Sequence, residues 1–230
     1  MENIIASKSG YKFIATQLLR EKQSGWALLV IISVLYCLLT FIADSLVFTD
    51  QFYHRSFSDQ LNLNSIEALL EIRAKTWWLT YAMQPVIILI KATFVAVCIS
   101  TGIILLDIPV DFRMVFKICL LSEGVFFMGQ AVYVANLYHN LDSFTLDIIA
   151  NFYPLSMLSY WGVENVATWL HYPLQIINIF ELLFIICISW MLSLQWSLNF
   201  IESLNIVLPS YGTGLLLWLV LVTFLTLQIS

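Results

Sequence analysis

Residues 77–106 restrict this chain more than any other feature, because these thirty consecutive positions contain a single charged residue, Lys91. About 20 apolar residues are enough for a helix to cross the hydrocarbon core of a bilayer. A helix satisfies its backbone hydrogen bonds internally, as a segment surrounded by lipid must. The segment therefore predicts a transmembrane helix, and the chain an integral membrane protein.

Composition extends this prediction to the whole chain. Of its 230 residues, 60% are hydrophobic and 11% are charged, whereas a soluble domain has about 25% charged residues. A water-soluble fold of this size could not bury that much apolar surface, so the lipid bilayer is the expected surrounding. The net charge of −5 is modest and spread out, which argues against nucleic acid as a partner. We predict an all-α polytopic transmembrane helical bundle.

Five apolar stretches are predicted to be the spans of one bundle domain, residues 25–230. The second contains Pro85, which is expected to kink it because proline removes one backbone hydrogen bond. The last is short, near the lower limit for crossing a bilayer. The predicted spans are about 25–48, 77–106, 114–138, 173–196 and 213–229.

The connecting segments also have recognisable patterns. Asn64 and Ser65 followed by Glu67 predict the start of a short extramembrane helix that runs through Lys75. Residues 139–171 mix apolar and polar positions, which favours interfacial or short re-entrant helices. The sequence PSYG at 209–212 predicts a turn before the last span.

The N-terminal segment, residues 1–24, interleaves apolar residues with four basic ones: Lys8, Lys12, Arg20 and Lys22. This pattern predicts an amphipathic helix on the membrane surface, with an ordinary solvated tail as the alternative. Arg113 would lie on the same side as these basic groups, and the 139–171 loop has no Lys or Arg. The positive-inside rule then predicts a cytoplasmic N-terminus and an outside C-terminus.

Three ionisable residues fall inside predicted spans: Lys91, Glu123 and Glu181. At a rise of about 1.5 Å per residue, all three lie near the bilayer centre. A charge at that depth costs about 2.5–3.5 kcal/mol on insertion scales, so such residues normally face the bundle interior and find partners. We expect Lys91 to pair with Glu123 or Glu181. The cluster would either line a path for a proton, an ion or a polar substrate, or fix how the helices pack.

A second polar group is predicted at the outer face and consists of His139, Asp142, Glu164 and His171. It is the candidate site for an intramembrane lipid-modifying enzyme. However, the sequence contains no HExxH, no GxSxG, no Walker-type loop and no Rossmann fingerprint. The four cysteines lie in apolar stretches without metal-ligand spacing. The sequence therefore predicts no metal site and no cofactor, and it favours a non-enzymatic protein.

Two segments of the C-terminal half resemble the Yip1-like family of small membrane proteins, which have a cytosolic segment followed by five spans. They are HYPLQIINIFELLFIICISWML (171–192) and VLPSYGTGLLLWLVLVTFL (207–225). The resemblance covers about residues 77–229, and the acidic DLYGP-type motif of the eukaryotic members is missing. YPLQIINIFE (172–181) also resembles membrane proteins of Bacteroidetes-type bacteria. The resemblance implies a bacterial inner-membrane protein that works through helix contacts with proteins or lipids.

Three functional hypotheses follow. The first is a scaffold or accessory subunit of a membrane transport or secretion complex, which binds other membrane protein subunits or forms a homo-oligomer. The second is a small oligomeric transporter or channel in which Lys91, Glu123 and Glu181 form the polar path. The third is the lipid-modifying enzyme with the outer-face polar group.

Overall fold

The computed structural model of the chain describes residues 25–57, 63–141, 144, 149 and 152–229. Within these ranges the fold is all-helical, and a single 3₁₀ turn lies at Val163–Asn165. We number the α-helices in chain order: α1 Gly25–Leu46, α2 Asp50–Phe57, α3 Leu63–Ile104, α4 Phe112–Ser122, α5 Gly124–His139, α6 Met157–Trp161, α7 Thr168–Ile176, α8 Ile179–Trp196 and α9 Phe200–Ile229.

In the part of the chain that the structure describes, five helical segments are long and apolar enough to cross a membrane, which confirms the predicted class of fold and number of spans. Four are α1, α3, α8 and α9, and the fifth combines α4 and α5. The chain is therefore an integral membrane protein. The amphipathic helix predicted at 1–24 lies outside the described residues.

The bundle has two ends, which we call lower and upper. The lower end holds Gly25, the turn before α4 and the turn between α8 and α9. Gly25 lies against Phe116 of α4, and Trp196 of α8 donates from its indole Nε1 to the carbonyl oxygen of Pro109 at 3.0 Å. The upper end holds α2, the end of α5 and the segment that leads to α8.

Helix α3 differs from its prediction. The extramembrane helix expected through Lys75 and the span expected from Trp77 form one helix of 42 residues, about 63 Å long. It continues through Pro85 without a break. Since a bilayer core is about 30 Å thick, α3 extends well beyond the upper surface of the membrane.

Helix α9 also differs, because the turn predicted at 209–212 does not form. The helix begins at Phe200, directly after Asn199, whose backbone N–H donates to Glu202 at 2.8 Å. It then continues through Pro209 to Ile229. In lipid, a turn would leave several backbone groups unsatisfied, whereas a proline inside a helix removes one hydrogen bond. The predicted fifth span, 213–229, is therefore too short.

The fourth span begins later than predicted. Residues 173–176 belong to the separate helix α7, and α8 begins after Asn178. The Asn178 side chain caps α8 by accepting from the Glu181 N–H at 2.8 Å. An isolated antiparallel bridge joins Asn178 to Ser156, so irregular backbone adjoins the start of α8.

The third span is interrupted at Glu123, which separates α4 from α5. Its start agrees with the prediction within two residues and is capped by Asp111, whose carboxylate accepts from the Arg113 N–H at 3.0 Å. The break puts an ionisable side chain at a helix junction inside the bundle.

The lower half of the bundle is held by apolar packing, with very close contact between α3 and α9. A methyl group added at Gly102 would lie 1.8 Å from Ser210 Oγ, and one added at Gly214 would lie 2.5 Å from Cys98 Sγ. Cys98 and Gly102 are four residues apart on α3, as are Ser210 and Gly214 on α9. Small residues at this spacing allow two transmembrane helices to pack closely.

Candidate functional site

The three ionisable residues predicted inside the spans lie at one level of the bundle, together with Tyr211. Glu123 lies about 17 Å above the start of α4, and Lys91 about 20 Å above the lower end of α3. Tyr211 reaches them through its contacts with Glu181 and with Phe184, whose ring also lies beside Lys91. In a bilayer core about 30 Å thick, this level is near the middle. We call these four residues the polar centre.

Lys91 forms an ion pair with Glu123, which is one of the two partners predicted for it. Its Nζ lies 3.2 Å from both carboxylate oxygens of Glu123. The Glu123 side chain is 2% exposed, whereas the Lys91 side chain is 35% exposed. A buried carboxylate of this kind requires a partner, because desolvation of an unpaired charge is costly.

Two phenylalanine rings complete the surroundings of Lys91. Its Nζ lies 3.2 Å from the centroid of Phe126 and 5.4 Å from that of Phe184. The two rings pack together with their centroids 4.8 Å apart. Since an aromatic face attracts a cation, these rings stabilise the Lys91 ammonium group. Their role at Lys91 was not predicted from the sequence.

The second carboxylate has a different partner. The Tyr211 hydroxyl donates to Glu181 Oε1, and Tyr211 is buried. Glu181 also lies in the first turn of α8, where the helix dipole favours negative charge. The polar centre therefore consists of an ion pair and a phenol–carboxylate pair.

A cavity of about 430 Å³ lies above the ion pair. Phe126, which covers Lys91, lines it from below, and so does Tyr36, whose hydroxyl donates to the Glu123 carbonyl oxygen at 3.5 Å. Its other walls carry amide and phenol groups from Gln130, Gln175 and Tyr133. Below the polar centre, the packed apolar core of the lower half continues. The site is thus open towards the upper end and closed towards the lower end.

The outer-face residues proposed for an enzyme are distributed over three elements. His139 is in the last turn of α5, Glu164 in the 3₁₀ turn and His171 in α7. His171 Nε2 lies 3.0 Å from the Val166 carbonyl oxygen, and no hydrogen bond or ion pair joins these three side chains within the described residues. Asp142 lies outside the described residues.

Metal binding has no support in the described part of the chain. There, no group of three or more His, Cys, Asp or Glu side chains is arranged to hold an ion. The four cysteines are free thiols. The polar centre combines two carboxylates, an ammonium group and a phenol, which suit hydrogen bonding and proton transfer.

Comparison with protein-family models, curated proteins and solved structures finds no match for this chain.

Proposed function

We propose that this chain is a non-enzymatic integral membrane scaffold or accessory subunit that acts through helix contacts, with α3 as its principal contact helix. The observation that supports this is the upper extension of α3. Residues 63–76 extend about 21 Å beyond Trp77, and Trp77 is typical of a membrane interface. Apolar side chains on this extension face water, where exposed apolar surface indicates a binding partner.

Seven of the exposed residues of α3 form a stripe with alternating spacings of three and four. Ile72, at 59% exposure, is the more exposed of the two hydrophobic residues of the stripe outside the membrane, Leu69 and Ile72. Spacing of this kind is the pattern of a two-helix coiled coil. The stripe consists of Leu69, Ile72, Thr76, Leu79, Met83, Val86 and Ile90, all exposed.

A second copy of the chain is the partner that best fits this stripe. Two copies in one membrane have the same orientation, so their α3 helices are parallel, as in a parallel coiled coil. In that arrangement, the flanking positions pair Ala68 with Arg73 and Lys75 with Thr80. These pairs contain no like charges, so they do not oppose self-association.

Cysteine crosslinking tests this proposal. Ile72→Cys, in a variant with the four native cysteines replaced by alanine, places a thiol in the stripe. Ala74→Cys places one on the opposite side of the same helix, as the matched control. Oxidation in intact membranes should link Ile72→Cys into a covalent dimer and leave Ala74→Cys monomeric, because a disulfide requires Cβ atoms about 4 Å apart.

Either of two results would refute α3 pairing between copies. One is a monomer for both variants under full oxidation. The other is equal dimer yield from both, which would indicate random collision. A crosslink from Ile72→Cys to a chain of another mass would show that the partner of α3 is a different protein and not a second copy of this chain.

The transporter hypothesis is a second candidate, favoured by the cavity above Lys91 and Glu123. Such a site would receive a solute from the upper side and would need the lower half to open. The test is proton flux into proteoliposomes with a trapped pH-sensitive dye. Proton flux that Glu123→Gln or Glu181→Gln abolishes would support the transporter hypothesis. Unchanged flux in both variants would show that neither Glu123 nor Glu181 belongs to the path.

The remaining parts of the proposal concern family and location. Five spans agree with the number expected from the Yip1-like resemblance. We propose a bacterial inner membrane and a cytoplasmic lower end, since Arg113 and Lys117 lie there. A membrane-impermeant thiol reagent that labels Ala74→Cys from the periplasm would support this orientation, and labelling only after lysis would reverse it.

A further inference from the structure

An apolar groove on the lipid-facing surface lies next to the polar cavity above the ion pair. The groove has a volume of about 350 Å³ and runs between α5 and α8. Its walls are aliphatic and aromatic, with Val125, Met128 and Cys187 among them. Phe180 lines both the cavity and the groove, so the two spaces adjoin on either side of this side chain.

The order of the two spaces matches the depth profile of one bilayer leaflet. Gln130 and Tyr133 in the cavity lie about 27 and 31 Å above the start of α4, near the upper surface of a 30 Å core. The groove runs from Phe180 down to Trp190 along about 15 Å of α8. A polar compartment thus lies at head-group level, and an apolar compartment lies beneath it at acyl-chain level.

The cavity offers hydrogen-bonding groups without charge. Within the described residues, four groups in its wall have no hydrogen-bond partner: the amides of Gln130 and Gln175 and the hydroxyls of Tyr133 and Tyr153. Amides and phenol hydroxyls both donate and accept hydrogen bonds. Its described lining contains no charged side chain, since Lys91 lies behind Phe126. Such a wall pairs with hydroxyl groups and has no counter-charge for a phosphate.

We propose that the cavity and the groove together bind one lipid with an uncharged, sugar-bearing head group. The sugar hydroxyls pair with the amides and phenols of the cavity, and one acyl chain occupies the groove below Phe180. The head group supplies the selectivity, because every lipid in the bilayer has a chain that suits the groove. This site is separate from the α3 stripe, so it does not depend on the proposed scaffold function.

Native mass spectrometry of the full chain in lipid nanodiscs tests this site. The nanodiscs contain equal amounts of monoglucosyl diacylglycerol, dioleoylglycerol and phosphatidylglycerol. The glucolipid should be retained about tenfold more than phosphatidylglycerol, since two or more hydrogen bonds distinguish them. Greater retention of dioleoylglycerol would show that the sugar is not recognised, and equal retention of all three would show that the site does not select lipids. Either result overturns the proposal.

Paired substitutions test each compartment. Gln130→Leu with Gln175→Leu should reduce glucolipid retention about tenfold by removing the amides. Cys187→Phe should have a similar effect by filling the groove, and Val97→Phe, on an exposed face of α3, should leave retention unchanged. If Cys187→Phe lowers the melting temperature, Met128→Trp gives the same block at a side chain that is 67% exposed. Retention that survives the change in either compartment contradicts the proposal.

Discussion

The lower and upper halves of this bundle are held together by different means. In the lower half, small residues bring α3 and α9 into close contact around a packed apolar core. In the upper half, the helices are interrupted at Glu123 and Asn178, the contacts include an ion pair, and a cavity remains between them. Apolar packing therefore dominates in the lower half, where Trp196 also donates a hydrogen bond to Pro109, whereas the upper half depends on polar contacts and has room for a ligand.

The difference implies that substitutions in the two halves should destabilise the protein for different reasons. A substitution that overpacks the lower half acts through steric overlap, so a change of charge elsewhere does not restore stability. A defect in the polar centre leaves a charge without a partner, and removal of the second charge should repair it. Three substitutions, ordered from the largest expected effect, test this contrast.

Lys91→Met should have the largest effect, because it leaves the Glu123 carboxylate buried without a cation. Loss of one partner from a buried ion pair costs about 3–5 kcal/mol of stability. The double variant Lys91→Met with Glu123→Leu should recover most of this loss, since an apolar pair often replaces a buried ion pair at little cost. Unfolding of the purified protein, followed by denaturant titration in detergent, measures both.

A double variant as unstable as Lys91→Met would show that the ion pair does not determine packing in the polar centre. This result would favour the transporter hypothesis, in which both charges have a functional role.

Gly102→Ala should have the next largest effect, about 1–3 kcal/mol of destabilisation from overpacking. The added methyl group would lie 1.8 Å from Ser210 Oγ and 2.8 Å from Ser210 Cβ, so the backbones of α3 and α9 must separate. The matched control is Gly212→Ala, where nothing lies within 4 Å. Alanine has the higher helix propensity, by about 1 kcal/mol, so the control should be neutral or stabilising. Equal shifts of the unfolding midpoint would contradict close contact of the helices.

Tyr211→Phe should have the smallest effect, about 0.6 kcal/mol, which is typical of a hydrogen bond between transmembrane helices. It removes the hydroxyl that donates to Glu181 and leaves the ring packed against Phe184. Tyr160→Phe, at a side chain that is 83% exposed, is the control and should not change the unfolding midpoint. A loss of stability above about 3 kcal/mol is the range for a broken buried ion pair. It would contradict this prediction and show that folding requires a partner for Glu181.

The five spans could be predicted because uninterrupted apolar length is the signal that a bilayer requires. One error arose where a turn rule from soluble proteins was applied inside lipid. Pro209 and Gly212 indicate a turn in water, but they lie within α9, because lipid favours an unbroken helix. The break before α8 could have been found from Asn178 followed three residues later by Glu181, which is a capping-box pattern.

The candidate site could be predicted in part. Charged residues within apolar spans are conspicuous, so Lys91, Glu123 and Glu181 were identified, and one of the two expected pairings forms. Tyr211 and Phe126 were missed, because a phenol or an aromatic ring in a span is common and its partner depends on how the helices pack. Neither the cavity nor the groove has a local sequence signal, since residues distant in the chain form each of them.

The most direct test of the central claim is the mass of the protein extracted mildly from its own membrane, measured with and without Ile72→Lys. Self-association through α3 predicts a complex of two copies, twice the mass of the 26.4 kDa chain. It also predicts a monomer for Ile72→Lys, because a charge in the stripe opposes its own copy, while Ala74→Lys should stay dimeric. A monomer for the unmodified chain, or a dimer that Ile72→Lys leaves intact, would contradict a scaffold that pairs through α3.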